Sequence, residues 1–381
     1  MRRSSFVRLA LRLACASALL PAAPARALEF QAATLYDMSA SEPRELAVGD
    51  FNNDGHLDIV GTEQAGTGDD GVAVHLGDGT GDFSDLVAFG MGGYAWGVDA
   101  ADFDGDGALD LVVTQGTQTK LGADPYCGAP IGSPVFLGNG HGAFAFSTCV
   151  AGGSFPIAPV ARDLDGDGDA DLAIAHNVSG GIAIFPGEGD GTFGAKTVVP
   201  GSYFQATDML SADFNGDGKA DLAAAHYSGV SVFLGAGDGT FALHGGVGGP
   251  YLTETVATGD FNGDGKADLV SVQLYARKMI VSLGTGDGGF TGGPVYDVGS
   301  FPREVAAGDF DQDGKTDLAL AVQDADVVNV YLGLGDGRGL AAGDQPSTVA
   351  LGDWNGDGRL DVAEVPVRRG DTAMLASILQ V

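Results

Sequence analysis

The feature that most constrains this chain is a nine-residue pattern, D-x-D/N-x-D-G-x-x-D, which occurs seven times. The copies begin at Asp50, Asp102, Asp163, Asp213, Asp260, Asp309 and Asp353, at intervals of 52, 61, 50, 47, 49 and 44 residues. A pattern repeated at so regular a spacing marks a structural unit that buries its apolar face only against its neighbours. A period near fifty has room for four short strands and their turns, the size of a propeller blade. The repeat therefore overrides the two or three domains that 381 residues would otherwise suggest. Glycine is abundant, at 64 residues with no triplet period, which fits many tight turns.

One period read in order gives the blade. Residues 256–259 form an inner strand leading into the loop at Asp260, and 269–273 and 279–283 form a second and third strand. A glycine-rich hairpin turn over 284–290 follows, and then an outer strand through Val295–Val298. Related turns recur at 76–79, 185–193, 234–241 and 332–340, with a degenerate form at 137–144. After the last loop only strands over 362–365 and 374–381 remain, whereas residues 29–36 precede the first loop as outer strands precede the others. The sequence thus predicts an all-β, seven-bladed propeller of four-stranded blades, its ring closed by the N-terminal strand pairing into the last blade. Closure removes open sheet edges.

The loops carry the chemistry. Positions 1, 3, 5 and 9 bear oxygen-containing side chains: Asp50, Asn52, Asp54 and Asp58 in the first loop, and Asp102, Asp104, Asp106 and Asp110 in the second. The third has Asp163, Asp165, Asp167 and Asp171; the fourth Asp213, Asn215, Asp217 and Asp221; the fifth Asp260, Asn262, Asp264 and Asp268. Asp309, Asp311, Asp313 and Asp317 form the sixth set, and Asp353, Asn355, Asp357 and Asp361 the seventh. Position 6 is always glycine, suited to a sharp reversal. Position 7 varies widely (His56, Ala108, Asp169, Lys219, Lys266, Lys315, Arg359), as expected where only a backbone carbonyl coordinates. Position 2 is always large and apolar, an anchor into the core. Oxygen donors in a flexible loop suit Ca2+, up to seven ions, one per blade. Mg2+ demands stricter octahedral geometry, and Zn2+ prefers His and Cys ligands.

Charge narrows the partners. The formal net charge is −32, and the first 27 residues hold five arginines and no acid. Without them 14 basic face 51 acidic residues, a charge of −37 that repels nucleic acid and anionic membranes. Basic residues, then the apolar run 13–20, then Ala25-Arg26-Ala27 read as a cleaved signal peptide over 1–27, leaving a mature propeller over 28–381 that is secreted or periplasmic. No stretch is long enough to span a bilayer. The two remaining cysteines, Cys127 and Cys149, suggest one disulfide, the alternative being two free thiols.

With D-F-N-G-D-G-K-x-D-L followed by L-G-x-G-D-G-T-F, the chain resembles the FG-GAP/VCBS repeats of integrin α-subunit propellers and many secreted bacterial proteins, over about residues 29–381. The resemblance implies calcium loops joining first and second strands on one face of a seven-bladed propeller. It does not fix a function, since members include adhesion modules, lectins and propellers attached to polysaccharide-cleaving enzymes.

The expected function is a secreted, monomeric, non-catalytic module that binds a glycan or an extracellular protein through the face opposite the loops. The second strands end there in polar residues, among them Glu63, Gln115, His176, His226 and Gln273, and aromatics such as Tyr94, Trp96 and Tyr251 precede the inner strands. Tyr94, Trp96, His176, His226, Tyr251 and Gln273 are the candidate ligand-binding residues, because aromatic faces stack on sugar rings while polar groups hydrogen-bond. Two other readings stand beside this one: the polar ring lines a water-filled channel, and the aromatics pack blade on blade. A polysaccharide lyase or hydrolase using the same face is the alternative function. The sequence shows no nucleophile elbow, zinc-protease helix motif or phosphate loop.

Overall fold

The computed structural model describes residues 34–37, 43–63, 71–91, 95–116, 126–127, 132–151, 153–249, 251–325, 327–333, 338–341, 346–366 and 375–379. The segment expected to be a signal peptide, the predicted start at Leu28, Tyr94 and most of the insertion in the second repeat lie outside them. No helix among the described residues is long and apolar enough to cross a membrane.

The strands form seven four-stranded antiparallel sheets, one for each loop, and each is numbered here as a blade after its loop. Blade five shows the plan. Its strands span Thr253–Gly259, Asp268–Gln273, Lys278–Gly284 and Phe290–Asp297 and pair in chain order. The second strand is buried along its whole length. Both of its faces meet neighbouring blades, Leu269 packing with blade four and Val270 and Val272 with blade six. The outer strand is exposed or half-buried along its length.

The core therefore lies between blades and not within them. Phe214, Ala223 and Val232 of blade four pack with Val256 and Leu269 of blade five. The residue at loop position 2 is buried in all seven repeats, as Phe51, Phe103, Leu164, Phe214, Phe261, Phe310 and Trp354. It packs against the hairpin phenylalanine of the next blade, in the pairs Phe51–Phe144, Phe103–Phe193 and Phe214–Phe290. Backbone bonds run beside these contacts: Gly142, Gly191 and Gly288 N–H groups donate to the carbonyls of Phe51, Phe103 and Phe214.

The expectation of seven like blades sealed by the N-terminal strand is corrected in two respects. First, only six sheets have four strands of at least four residues. In blade three the outer strand is Thr197–Val198 alone, preceded by an isolated Gly187–Phe193 bridge. Pro186 lies just before that bridge and lacks an N–H, which shortens the pairing there. Second, the ring does not depend on the N-terminus alone. Trp354 packs with Ile59 and, at its margin, Leu46, Val48 and Phe83 of blade one. Gly81 N–H donates to the Trp354 carbonyl at 3.0 Å. The same inter-blade clasp used elsewhere thus joins last blade to first. The N-terminal contribution is four residues, Thr34–Asp37, which pair with Leu375–Leu379 at the outer edge.

Candidate metal centres and the opposite face

Each loop is organised by its own side chains. In the fourth, Asp213 accepts hydrogen bonds from the Gly216 and Gly218 N–H groups at 2.7 and 2.9 Å. Asn215 accepts from Asp217 N–H and Asp217 accepts from Lys219 N–H. Position 4 is left-handed in the first and sixth loops without glycine: Asn53 has φ 56° and Gln312 φ 59°. Their amides donate to the carbonyls of Gly107 and Gly358, at loop position 6 of the following blade. These two departures from the repeat are tethers between neighbouring loops.

The ninth position has two partners. Asp171 is buried; one oxygen accepts the Leu164 N–H at 2.8 Å and the other the Gly187 N–H of the hairpin turn at 2.6 Å. The same pair of bonds recurs at Asp58, Asp110, Asp221 and Asp268. Burial, reinforced by the loop carboxylates nearby, pushes Asp58 and Asp110 up to about 6. Asp171, Asp221, Asp268 and Asp317 shift in the same direction, with burial as the first cause.

Three clusters could hold a metal ion: Asp102–Asp104–Asp110, Asp163–Asp165–Asp171 and Asp309–Asp311–Asp317, each with ligand oxygens within 4.8 Å of one another. They belong to the three loops with aspartate at position 3. The other four have asparagine there, which keeps the oxygen and drops the charge. The donor set fits a hard cation. Every side-chain donor is oxygen, and a carboxylate oxygen that accepts one N–H keeps a second lone pair. A cation would also offset the burial, and the lesser repulsion, that raise the ninth residue. Lysine pairs with the exposed fifth position in two loops, Lys315–Asp313 at 2.8 Å and Lys266–Asp264 at 3.4 Å.

Cys127 and Cys149 form a disulfide, with Cα atoms 5.6 Å apart, tying the second repeat's insertion to its own outer strand.

The second-to-third-strand turns and the inter-blade connections share the face opposite the loops, and here the expected ligand surface needs correction. His176 and Gln273 are buried. His176 Nδ1 lies 2.9 Å from the Gly181 carbonyl, and burial lowers its pKa. Gln115, from the same polar ring, is buried too and donates to the Met91 carbonyl. His226 stacks on Phe204 and bonds Ser231 and Ser228. Trp96 is half-buried beneath the Arg44 guanidinium, 4.6 Å from its ring centroid. His176, Gln115 and His226 thus fasten second strands to adjacent backbone. Of the six candidates, Tyr251 alone is an exposed aromatic on this face among the described residues. The aromatics exposed beside it are Tyr203, Tyr227, Tyr275 and Phe301. Tyr227 and Tyr275 sit at turns after second strands, where strand periodicity gives no signal.

The FG-GAP-like repeat profile matches residues 50–113, 163–224, 213–271, 260–320 and 309–363, more than half of the chain. The chain belongs to the FG-GAP-like repeat family. A search of curated proteins finds no match. Among solved structures, this FG-GAP propeller is similar to an Agrocybe aegerita lectin described as recognising non-reducing terminal N-acetylglucosamine. Identity is 19%, the coverage 80% of this chain and 81% of that one, and the TM-score 0.55. It is also similar to a catalytically inactive virginiamycin B lyase from Staphylococcus aureus with quinupristin, at 11% identity, 93% and 100% coverage and a TM-score of 0.60. At such identities the likeness is one of fold.

Proposed function

We propose that this FG-GAP propeller is an exported, calcium-stabilised binding module whose recognition surface, for a glycan or an extracellular protein, is the face opposite the loops. The observation that carries the reading is the division of labour between the faces. Three of the acidic loops bring carboxylates close enough to hold a cation, and the loops clasp neighbouring blades, whereas the opposite face presents large aromatic side chains to solvent. His176 and His226, the two histidines that an enzymatic reading would need, are engaged in structural hydrogen bonds. A sugar ligand is in keeping with the lectin among the structural neighbours, which is described as recognising non-reducing terminal N-acetylglucosamine.

Calcium would be held by positions 1, 3, 5 and 9 with the position-7 carbonyl, as in integrin α-subunit propellers, and most firmly by the second, third and sixth loops. Because the ion binds the native loops alone, saturation stabilises the fold by about 4 kcal/mol per site at a thousandfold excess over Kd. The test joins metal analysis, thermal melts and a glycan array, run with calcium and after chelation. We expect bound calcium, a melting temperature that falls on chelation, and glycan binding that Tyr251→Ala weakens without changing the melt. No bound calcium and an unchanged melt would refute the metal reading. Ligand binding indifferent to Tyr251→Ala and Tyr227→Ala would refute the surface.

A further inference from the structure

The exposed aromatics of the opposite face form a connected arc over blades four to six. The Gly249 N–H donates to the Ser228 carbonyl and the Leu274 N–H to the Leu252 carbonyl, at 3.1 and 3.2 Å. Val298 N–H donates to the Arg277 carbonyl and Gln323 N–H to that of Phe301, at 3.1 and 3.0 Å. Turn, connection, turn and connection are thereby laced into one rim, which carries Tyr227, Tyr251, Tyr275 and Phe301 in chain order. Their exposures are 55%, 49%, 67% and 45%, and Tyr203, at 78%, extends the arc. Side chains this large gain by burial, and their exposure here is unlike the buried aromatics between blades.

The arc is largely free of the acidic charge that dominates the rest of the molecule; at its edges Asp297 is paired with Lys278, and Asp324 is exposed beside Gln323. In a chain with 51 acidic residues, segments 199–205, 226–229, 249–252, 273–277 and 298–301 contain no aspartate or glutamate. Arg277 lies among them, exposed and held at φ 55°. Its guanidinium makes no ion pair or hydrogen bond among the described residues. Glu254, on the adjoining inner strand, is bound by Arg303 at 2.9 Å, and Lys278 is paired with Asp297. The strands that separate this face from the acidic loops are six or seven residues long, roughly 20 Å. That exceeds the screening length of about 8 Å at physiological salt, so an anion on this rim does not feel the loops strongly.

We propose that the arc binds a saccharide chain bearing acidic groups, sulfate or uronate, with sugar rings stacked on the tyrosines and an acidic group on Arg277. This rests on the reading of this face as the recognition surface and narrows its ligand. Tyrosine offers an apolar ring face for sugar C–H groups and a hydroxyl for sugar oxygens. Arginine offers a planar fork matched to carboxylate and sulfate oxygens. A neutral saccharide would use the rings and leave the arginine idle. Single-stranded nucleic acid combines rings with anions as well, but its sites carry a positive groove that tracks the phosphates, whereas this rim offers one unpaired arginine among the described residues.

The experiment uses the full mature chain in excess calcium. It is titrated with dextran and dextran sulfate, with methyl-esterified and de-esterified galacturonan, and with single-stranded DNA. We expect at least one acidic polymer to bind about tenfold or more tightly than its neutral partner, with the gap narrowing as salt rises. Arg277→Gln should remove most of that preference and Arg277→Lys retain part of it. Tyr227→Ala with Tyr275→Ala should weaken acidic and neutral forms alike, by about tenfold. Equal affinity for neutral and acidic partners, still sensitive to the tyrosines, overturns the acidic ligand and leaves the recognition face standing. Binding indifferent to the tyrosines overturns both. An acid preference that survives Arg277→Gln overturns the inference by placing the anion elsewhere, a bridge through loop calcium included. DNA bound as tightly as the best acidic polymer, or no acidic polymer bound at all, overturns the saccharide.

Discussion

The ninth residue of each loop shows how one side chain can serve fold and metal together. Asp171 is buried, and each of its oxygens receives a backbone N–H, one from the loop and one from the hairpin turn. Replacing it with asparagine turns one acceptor into a donor facing a buried N–H. Asp171→Asn should therefore cost about 2–3 kcal/mol, read by denaturant unfolding in excess calcium. Asp167→Asn, at the exposed fifth position, should cost less than about 1 kcal/mol in the same measurement. Equal losses would mean that the ninth residue acts only through the metal. The spacing of the loop marks Asp171 as a candidate ligand, but its bond to Gly187 spans 16 residues and depends on the strand pairing. The burial of His176 and Gln273 is invisible in the sequence for a related reason. A polar residue at a strand end looks the same in sequence whether it meets a ligand or the carbonyl of the next turn.

Among elements, the loop and the hairpin belong together more than either belongs to its strand. Phe214, at the loop of blade four, packs edge-on against Phe290 in the hairpin of blade five, with centroids 5.6 Å apart. Beside it, Gly288 N–H donates to the Phe214 carbonyl. Phe214→Ala opens a cavity between two blades that the rigid sheets cannot collapse, and should cost about 3–5 kcal/mol. Because the defect lies between blades, hydrogen exchange should accelerate in both the fourth and the fifth. Acceleration confined to the fourth blade would contradict an inter-blade core. The invariably apolar second position foretold this anchor, and the strands of blade five could be placed within a few residues. The two-residue outer strand of blade three could not, because only the partner strand shows how little backbone remains to pair.

Over the whole molecule, the inner strands are stitched by carboxylates that the loop pattern never hinted at. Asp99 accepts the Ala161 N–H of blade three at 2.8 Å, and Asp208 accepts the Val256 N–H of blade five at 2.9 Å. Glu45 and Glu304 reach the strands of blades two and seven in the same way. These groups sense one another. Burial, with Asp208 adding to it, pushes Glu304 up to about 8, while burial alone raises Asp99 to about 6; Glu45 rises through burial and then through Glu304, Asp208 and Asp99. An acid whose folded pKa lies above its unfolded value holds a proton that the unfolded chain has released. Between the unfolded value, about 4.3 for glutamate, and about 8, the native state thus binds more protons, and stability falls as pH rises. The loops complicate the acid side of this window, since their carboxylates must be ionised to hold a cation. The clean interval runs from about pH 7 to about pH 9 with calcium in excess. There the melting temperature should decline, and Glu304→Gln, which keeps an acceptor and cannot ionise, should flatten the decline. A wild-type melting temperature that is level or rising over that interval, or a Glu304→Gln profile parallel to it, would show that the inner strands are not held by protonated carboxyls.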